Sequence, residues 1–163
     1  MRVIVYKSQT GFTKDYAMLL SAETLYPAYS LEEARIRVTR NDEVIFLGWL
    51  MAGKIMGLTK ARKRYRLLAV AGIGMAFPSQ ISTTDLINHN ALTGVNTFYL
   101  QGGLDFSRLK GIYRFMMGFM RNMLAKKQAE LSDEERLALE MFSRRTDHVD
   151  AANLKPLIAS LDK

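Results

Sequence analysis

Cysteine is absent from the 163 residues, which excludes disulfide staples, iron–sulfur clusters and thiolate zinc sites together. Histidine is nearly absent: His89 and His148 stand far apart with no ligand-spaced partners, so no metal site is expected. No run approaches the ~18 uninterrupted apolar residues of a membrane span, and Met1–Tyr6 reads as a short strand and not as a signal peptide. Acidic residues are missing from one long stretch. Residues 108–127 hold six basic side chains and no acidic one, in a chain whose formal net charge is +7. What is present is an ordinary globular balance, 48% hydrophobic and 24% charged, sufficient for one core. The expectation is a cytoplasmic, soluble, single-domain protein.

The charge excess has a second knot at Lys60, Arg62, Lys63, Arg64 and Arg66. Such patches suit an anionic partner, and they equally suit a solvated basic face. Nucleic acid is not among the expected partners.

Along the chain, Arg2–Tyr6 is a β-branched run followed by a polar loop, Lys7–Thr13, and a helix from Lys14 to Ser21. Strand, tight polar turn and helix open a βαβ unit. Tyr26–Tyr29 is a weak second strand. Leu31–Val38 carries a helical turn for which Ser30 and Glu33 form a capping pair. Glu43–Gly48 is an apolar run closed by glycine, as in a strand buried on both faces. Leu58–Lys63 is a short basic helix, Arg66–Ala71 a fourth strand, Ser82–Asn90 a helix capped by Ser82, Thr83 or Thr84, and Val95–Leu100 a fifth strand. Short apolar strands separated by crossover-length segments predict an α/β fold with a parallel sheet and helices on both faces. Beyond the fifth strand the pattern predicts about 25 residues of basic, methionine-rich helix, a charged helix over Ser132–Ser143 and a last helix near Ala151–Leu161.

Ligands of such sheets bind beyond the carboxyl ends of the strands. The first loop there, Ser8-Gln9-Thr10-Gly11-Phe12-Thr13, precedes a helix. Unpaired N–H groups at a helix start stabilise a phosphate without a cation, and the three hydroxyls add donors. The same residues are consistent with a plain hydroxyl-capped helix start. Two other motifs fail. Gly48–Ile55 nearly matches the triphosphate loop but ends in Ile55, which offers magnesium no hydroxyl, and Gly72-Ile73-Gly74 lacks the third glycine of a dinucleotide fingerprint because position 77 is Phe77.

With these residues the sequence resembles the flavodoxin-like family over residues 1–107. The hydroxyl-rich loop matches, the loop Gly48…Ala52-Gly53-Lys54 is similar to the first loop flanking the flavin ring, and Gly72–Ser79 stands where the second would be. The resemblance implies a three-layer sandwich, a five-stranded parallel sheet of order 2-1-3-4-5, and non-covalent FMN. The cofactor-binding residues it implies are Ser8, Gln9, Thr10, Gly11, Phe12 and Thr13 for the phosphate, with Trp49, Leu50, Met51, Ala52, Gly53, Lys54, Gly72, Ile73, Gly74 and Met75 around the ring. A narrower resemblance, to the menaquinone-dependent protoporphyrinogen oxidase branch, rests on Tyr99–Phe106, on Tyr113-Arg114-Phe115-Met116-Met117 with Met120 and Met123, and on Arg145–Asp150. It implies a porphyrinogen-type substrate, a quinone acceptor, a place in heme biosynthesis and work at the inner membrane face. A flavodoxin-type electron carrier with a redox partner protein is the alternative, and a flavin-free module that binds lipid or a partner is a third reading.

On the expected basic helix, Leu109, Ile112, Tyr113, Met116, Phe119, Met120, Met123 and Leu124 share one apolar arc, and Lys110, Arg114 and Arg121 fall on another side. That arrangement suits an anionic membrane surface, or a helix that covers one face of the sheet. Residues 104–146 then form an insertion before the last helix of a single domain, 1–163. Trp49 is read as a ring-stacking or packing residue, Lys54 as facing the flavin or solvent, His148 as a hinge contact and His89 as a helix end. No side chain stands out as a general base, so the catalytic residues stay unassigned.

Overall fold

In the computed structural model, which describes residues 1–127, 130–143 and 145–162, the run Arg-Val-Ile-Val-Tyr-Lys forms β1 (Arg2–Lys7) with Val3 to Tyr6 all buried. Burial of consecutive residues is what a strand covered on both faces requires. There follow α1 (Phe12–Thr24), β2 (Ala28–Ser30), α2 (Ala34–Arg37), β3 (Glu43–Met51), β4 (Lys54–Ile55), α3 (Leu58–Arg64), β5 (Arg66–Gly74), α4 (Thr83–Asn90) and β6 (Asn96–Gln101). Then come β7 (Gly103–Leu104), α5 (Gly111–Lys126), α6 (Asp133–Ser143), β8 (Thr146–Asp147) and α7 (Lys155–Leu161). The chain divides into two units: residues 1–102 with the chain from His148 onward, and Gly103–Asp147.

The larger unit is an α/β sandwich. Its sheet runs β2-β1-β3-β5-β6 with every neighbouring pair parallel, and β4 folds back antiparallel on β3. Leaving out that hairpin arm, this is the 2-1-3-4-5 order of the doubly wound, flavodoxin-like sandwich. Alternation along the strands divides the core between the two faces. Ile4, Tyr6, Ile45, Leu47, Ala71, Ile73 and Leu100 pack with Tyr16 and Leu20 of α1 and Leu157 and Leu161 of α7. Val3, Val5, Val44, Phe46 and Val70 face the opposite way, toward Ala34, Leu58, Ala61 and Leu86 of α2, α3 and α4.

Several boundaries differ from those expected. Gly48 does not end the third strand; β3 continues to Met51 and turns through Ala52 (φ 48°) and Gly53 (φ 76°) into β4. Positive φ at both turn positions gives the primed geometry that matches strand twist. Gly48 serves a different purpose: a Cβ there would lie 2.6 Å from both Ile55 Cγ2 and the Met56 carbonyl oxygen. β5 likewise runs on to Gly74. The capping pair forms as expected, with Ser30 N–H donating to Glu33 at 2.8 Å and Glu33 N–H to Ser30 Oγ at 3.2 Å, although α2 itself starts only at Ala34. Ser82 caps α4, accepting from Asp85 N–H at 3.2 Å.

The basic knot around α3 is largely structural. Arg62 donates to the carbonyls of Asn90 (3.2 Å) and Ala91 (2.9 Å), and Arg64 to that of Arg35 (2.8 Å). Cations at helix ends meet the negative pole of the peptide dipoles. Asn90, only 6% exposed, locks the hairpin: its Oδ1 accepts from Ile55 N–H (2.8 Å), and its amide donates to Gly53 (2.8 Å) and Leu86 (2.9 Å).

In the smaller unit, β7 pairs antiparallel with β8, and α5 packs against α6. A reciprocal Ser132–Glu135 pair starts α6, at 3.0 and 3.2 Å. The carboxylate of Asp105, 7% exposed, accepts from Ser107 N–H at 3.1 Å and pairs with Arg108 at 3.2 Å. These partners, the Ser107 hydroxyl first, hold its carboxyl below the usual range. The methionine-rich helix is 16 residues long, shorter than expected, and Leu109 lies before it, 6% exposed, so it does not belong to the helical arc. Among the described residues no helix is long and apolar enough to cross a membrane.

Replacing Asn90 with alanine leaves the Ile55 amide and two carbonyls without their buried partner. The expected loss is about 2–4 kcal/mol in urea unfolding. A second prediction concerns acid. Asp42 accepts from Thr39 N–H at 2.8 Å and meets the Met1 ammonium at 3.0 Å, which lowers its carboxyl to about 2. A depressed carboxylate contributes stability above its unfolded value of ~3.9, and the contribution fades as pH falls from there toward 2. Asp42→Asn should therefore flatten the fall of the thermal midpoint across that window, measured by circular dichroism.

Candidate cofactor site

The carboxyl ends of β1, β3, β5 and β6 lie along one edge of the sheet. Parallel strands separated by crossovers must bring them there. At the end of β1 the chain turns through Ser8–Gly11 into α1. Gly11 takes φ 110°, a conformation side chains rarely adopt. Its N–H donates to Ser8 Oγ at 3.2 Å, and no side chain caps the helix. Ser8 accepts in that bond and so keeps its hydroxyl proton to donate outward. Ser8, Gln9, Thr10 and Gly11 are half-buried, whereas Phe12 and Thr13 are buried at 4% and 2%. The nearest lysine on the strand side, Lys7, is paired with Glu32. Oriented amides, hydroxyls and a helix start thus face this loop.

Alternation assigns the remaining expected residues to two different faces. Trp49 and Met51 share the face of Ile45 and Leu47, on which α1 packs, and both are half-buried. Leu50 belongs to the opposite face. There it fills the space beside Gly72, 3.2 Å from where a Cβ would stand, while the Tyr99 ring fills that beside Gly74 at 3.0 Å. Gly72 and Ile73 are buried strand residues paired with Gly48 and Trp49. Ala52 and Gly53 form the hairpin turn, and Lys54 donates to the His89 carbonyl at the end of α4. The structure therefore gathers Ser8–Thr13, Trp49 and Met51 on one face of the edge, with Met75 half-buried just past the end of β5. It does not bring Leu50, Gly72, Gly74 or Lys54 to that face.

Three residues the sequence pattern leaves unassigned shape the same edge. The Tyr16 hydroxyl, on a residue with no exposed surface, donates to the Gln101 carbonyl at 2.5 Å and accepts from Asn153 Nδ2 at 2.7 Å. Asn153 also donates to the His148 carbonyl at 3.2 Å, and His148 N–H donates to the Gly102 carbonyl at 2.9 Å. His148 is thus a backbone anchor, and its ring lies 6.4 Å from that of Phe77. The buried Nε2 of Gln101 has no hydrogen-bond partner among the described residues. Tyr16 and Asn153 are 137 positions apart, so only the topology could reveal their pairing.

Scans of family models, curated proteins and solved structures each return no match. Among the described residues no cluster of three metal-ligating side chains occurs.

The residues at the edge fit a phosphorylated, planar cofactor. An uncapped helix start with donor hydroxyls suits the phosphate, and an aromatic and a thioether on the same face suit a ring. Tyr16→Phe removes the hydrogen bond to Gln101 and leaves Asn153 only the longer one to the His148 carbonyl. The expected cost is about 1–3 kcal/mol in denaturant unfolding, with unchanged far-UV circular dichroism.

Proposed function

We propose that the protein binds FMN at the carboxyl edge of its sheet and acts in electron transfer. The observation that carries this reading is the start of α1: Gly11 at φ 110°, no side-chain cap, and three hydroxyl residues within Ser8–Thr13. Backbone amides and the Ser8 and Thr10 hydroxyls would hold the phosphate, and the partial positive charge of the helix start would balance its anionic oxygens. Trp49 and Met51 would contact the ring. When bound, FMN supplies one- and two-electron transfer, which no side chain of this chain can supply. The protein's part is to bind, to orient and to limit the access of water.

Within this reading the substrate class is a porphyrinogen, with a quinone as acceptor. Support comes from the resemblance over Tyr99–Phe106, Tyr113–Met123 and Arg145–Asp150, and from a sequence pI of 9.7, which suits anionic tetrapyrroles and membranes.

Titration of the purified chain with FMN should give saturable, equimolar uptake with quenched flavin fluorescence. Gly11→Ala, forced into an unfavourable φ, should weaken uptake by about tenfold or more. Failure of the unmodified chain to bind FMN would remove the redox reading altogether. With FMN bound, anaerobic oxidation of protoporphyrinogen IX by a menaquinone analogue is expected. Binding without turnover would leave the electron-carrier reading in its place.

A further inference from the structure

Helix α5 buries none of its residues. Ile112 (67% exposed), Phe115 (76%) and Phe119 (61%) stand out with Met116, Met120 and Met123, and at 3.6 residues per turn these six occupy an arc of roughly 140°. An apolar ridge of this size on a surface marks a contact with another phase or molecule. The half-buried positions Tyr113, Met117, Arg121 and Leu124 lie on the other side of the helix.

Of the three cations expected off the apolar arc, two stand there on the helix. Arg114 and Arg121 sit with their guanidinium carbons 5.5 and 4.7 Å from the Phe106 ring centre, on the side away from the ridge, and Lys110 precedes the helix. Among the described residues Arg121 makes no hydrogen bond or ion pair, and Arg114 makes one long contact, 3.5 Å, to the Ser107 carbonyl. Both line an open hollow of about 510 Å³ whose other walls include Phe106, Gly118, Phe115 and Phe119. Two guanidinium groups with spare donors thus open beside a ridge whose own aromatics form the rim. Lys126 and Lys127, both exposed, close the far end.

We propose that α5 lies in the interface of an anionic phospholipid bilayer, its ridge among the acyl chains and the Arg114–Arg121 hollow on a headgroup phosphate. Charge selects this occupant. Residues 108–127 carry six cations and no acid, so two-fold pairing of α5 with α5 of a second copy would set like charges side by side. A bilayer offers an apolar phase and a sheet of anions side by side, matched by ridge and hollow. Lysines at both ends can extend along apolar surface to the headgroups. A helix of 16 residues is too short to span, so it lies flat. This inference does not depend on FMN.

The test is flotation of the full chain with phosphatidylcholine vesicles, with and without phosphatidylglycerol, at several salt concentrations. Binding is expected only when phosphatidylglycerol is present, declining with salt. Phe115→Ser with Phe119→Ser should lower binding by tenfold or more, and Arg114→Gln with Arg121→Gln should lower the preference for anionic vesicles about tenfold. The two phenylalanines are exposed, so far-UV circular dichroism and the thermal midpoint should hold in that variant, separating lost docking from lost folding. Equal binding to neutral vesicles, or no flotation, overturns the proposal. A dimer in sedimentation that the phenylalanine variant dissolves, without flotation, assigns the ridge to a second copy instead.

Discussion

The hydrogen bond from the Tyr16 hydroxyl to the Gln101 carbonyl joins three distant pieces of chain at the edge where a ligand would bind. Tyr16 stands on α1, Gln101 ends β6, and Asn153, which donates to the same hydroxyl, follows the returning chain at His148. A buried phenol is costly unless it both donates and accepts, and here it does both. The start of α1 is thereby referenced to the last strand, and Phe12 lies where a Cβ on Gly102 would come within 3.4 Å of it. Rigid placement matters because amides stabilise a phosphate only if they are already oriented when it arrives.

Much of this architecture is legible in local pattern. The runs around Val3–Tyr6, Val44–Leu47 and Ala69–Ala71 bury consecutive residues, and two-sided burial occurs where helices cover both faces. The Ser30–Glu33 pair was legible as well, and Ser82 stood among the three hydroxyl residues offered for α4, because caps need only residues within one turn. Strand ends were not. Gly48 looks like a terminator, yet its role is to admit Ile55 and the Met56 carbonyl, a contact created by the hairpin that follows it. Asn90, at the end of α4, gives no hint that it holds the Ile55 amide 35 positions away.

The division of the edge into two faces explains why residues that are neighbours in sequence part company at the candidate site. A loop counted in sequence contributes all its residues, whereas a strand contributes every second one. Because β3 persists to Met51 and β5 to Gly74, Trp49 and Met51 fall on the face of the Ser8–Thr13 loop, and Leu50 is spent packing against Gly72. Lys54 is drawn to the end of α4 instead of toward the edge. Ser8–Gly11 escapes this parity because it is true loop.

Charge followed a different logic in each unit, and counting alone could not separate them. Around α3, Arg62 and Arg64 are consumed by backbone carbonyls at the ends of α4 and α2, so that knot is mostly mortar. In Gly103–Asp147, two of the acids are engaged away from α5: Asp105 with Ser107 and Arg108, and Asp147 with Arg145. A guanidinium resting on an aromatic ring keeps its hydrogen-bond donors at the ring's edge. The Phe106 contacts therefore position Arg114 and Arg121 without satisfying them. Six cations without an acid in residues 108–127, with those guanidinium donors left open, make this stretch a local excess of positive charge.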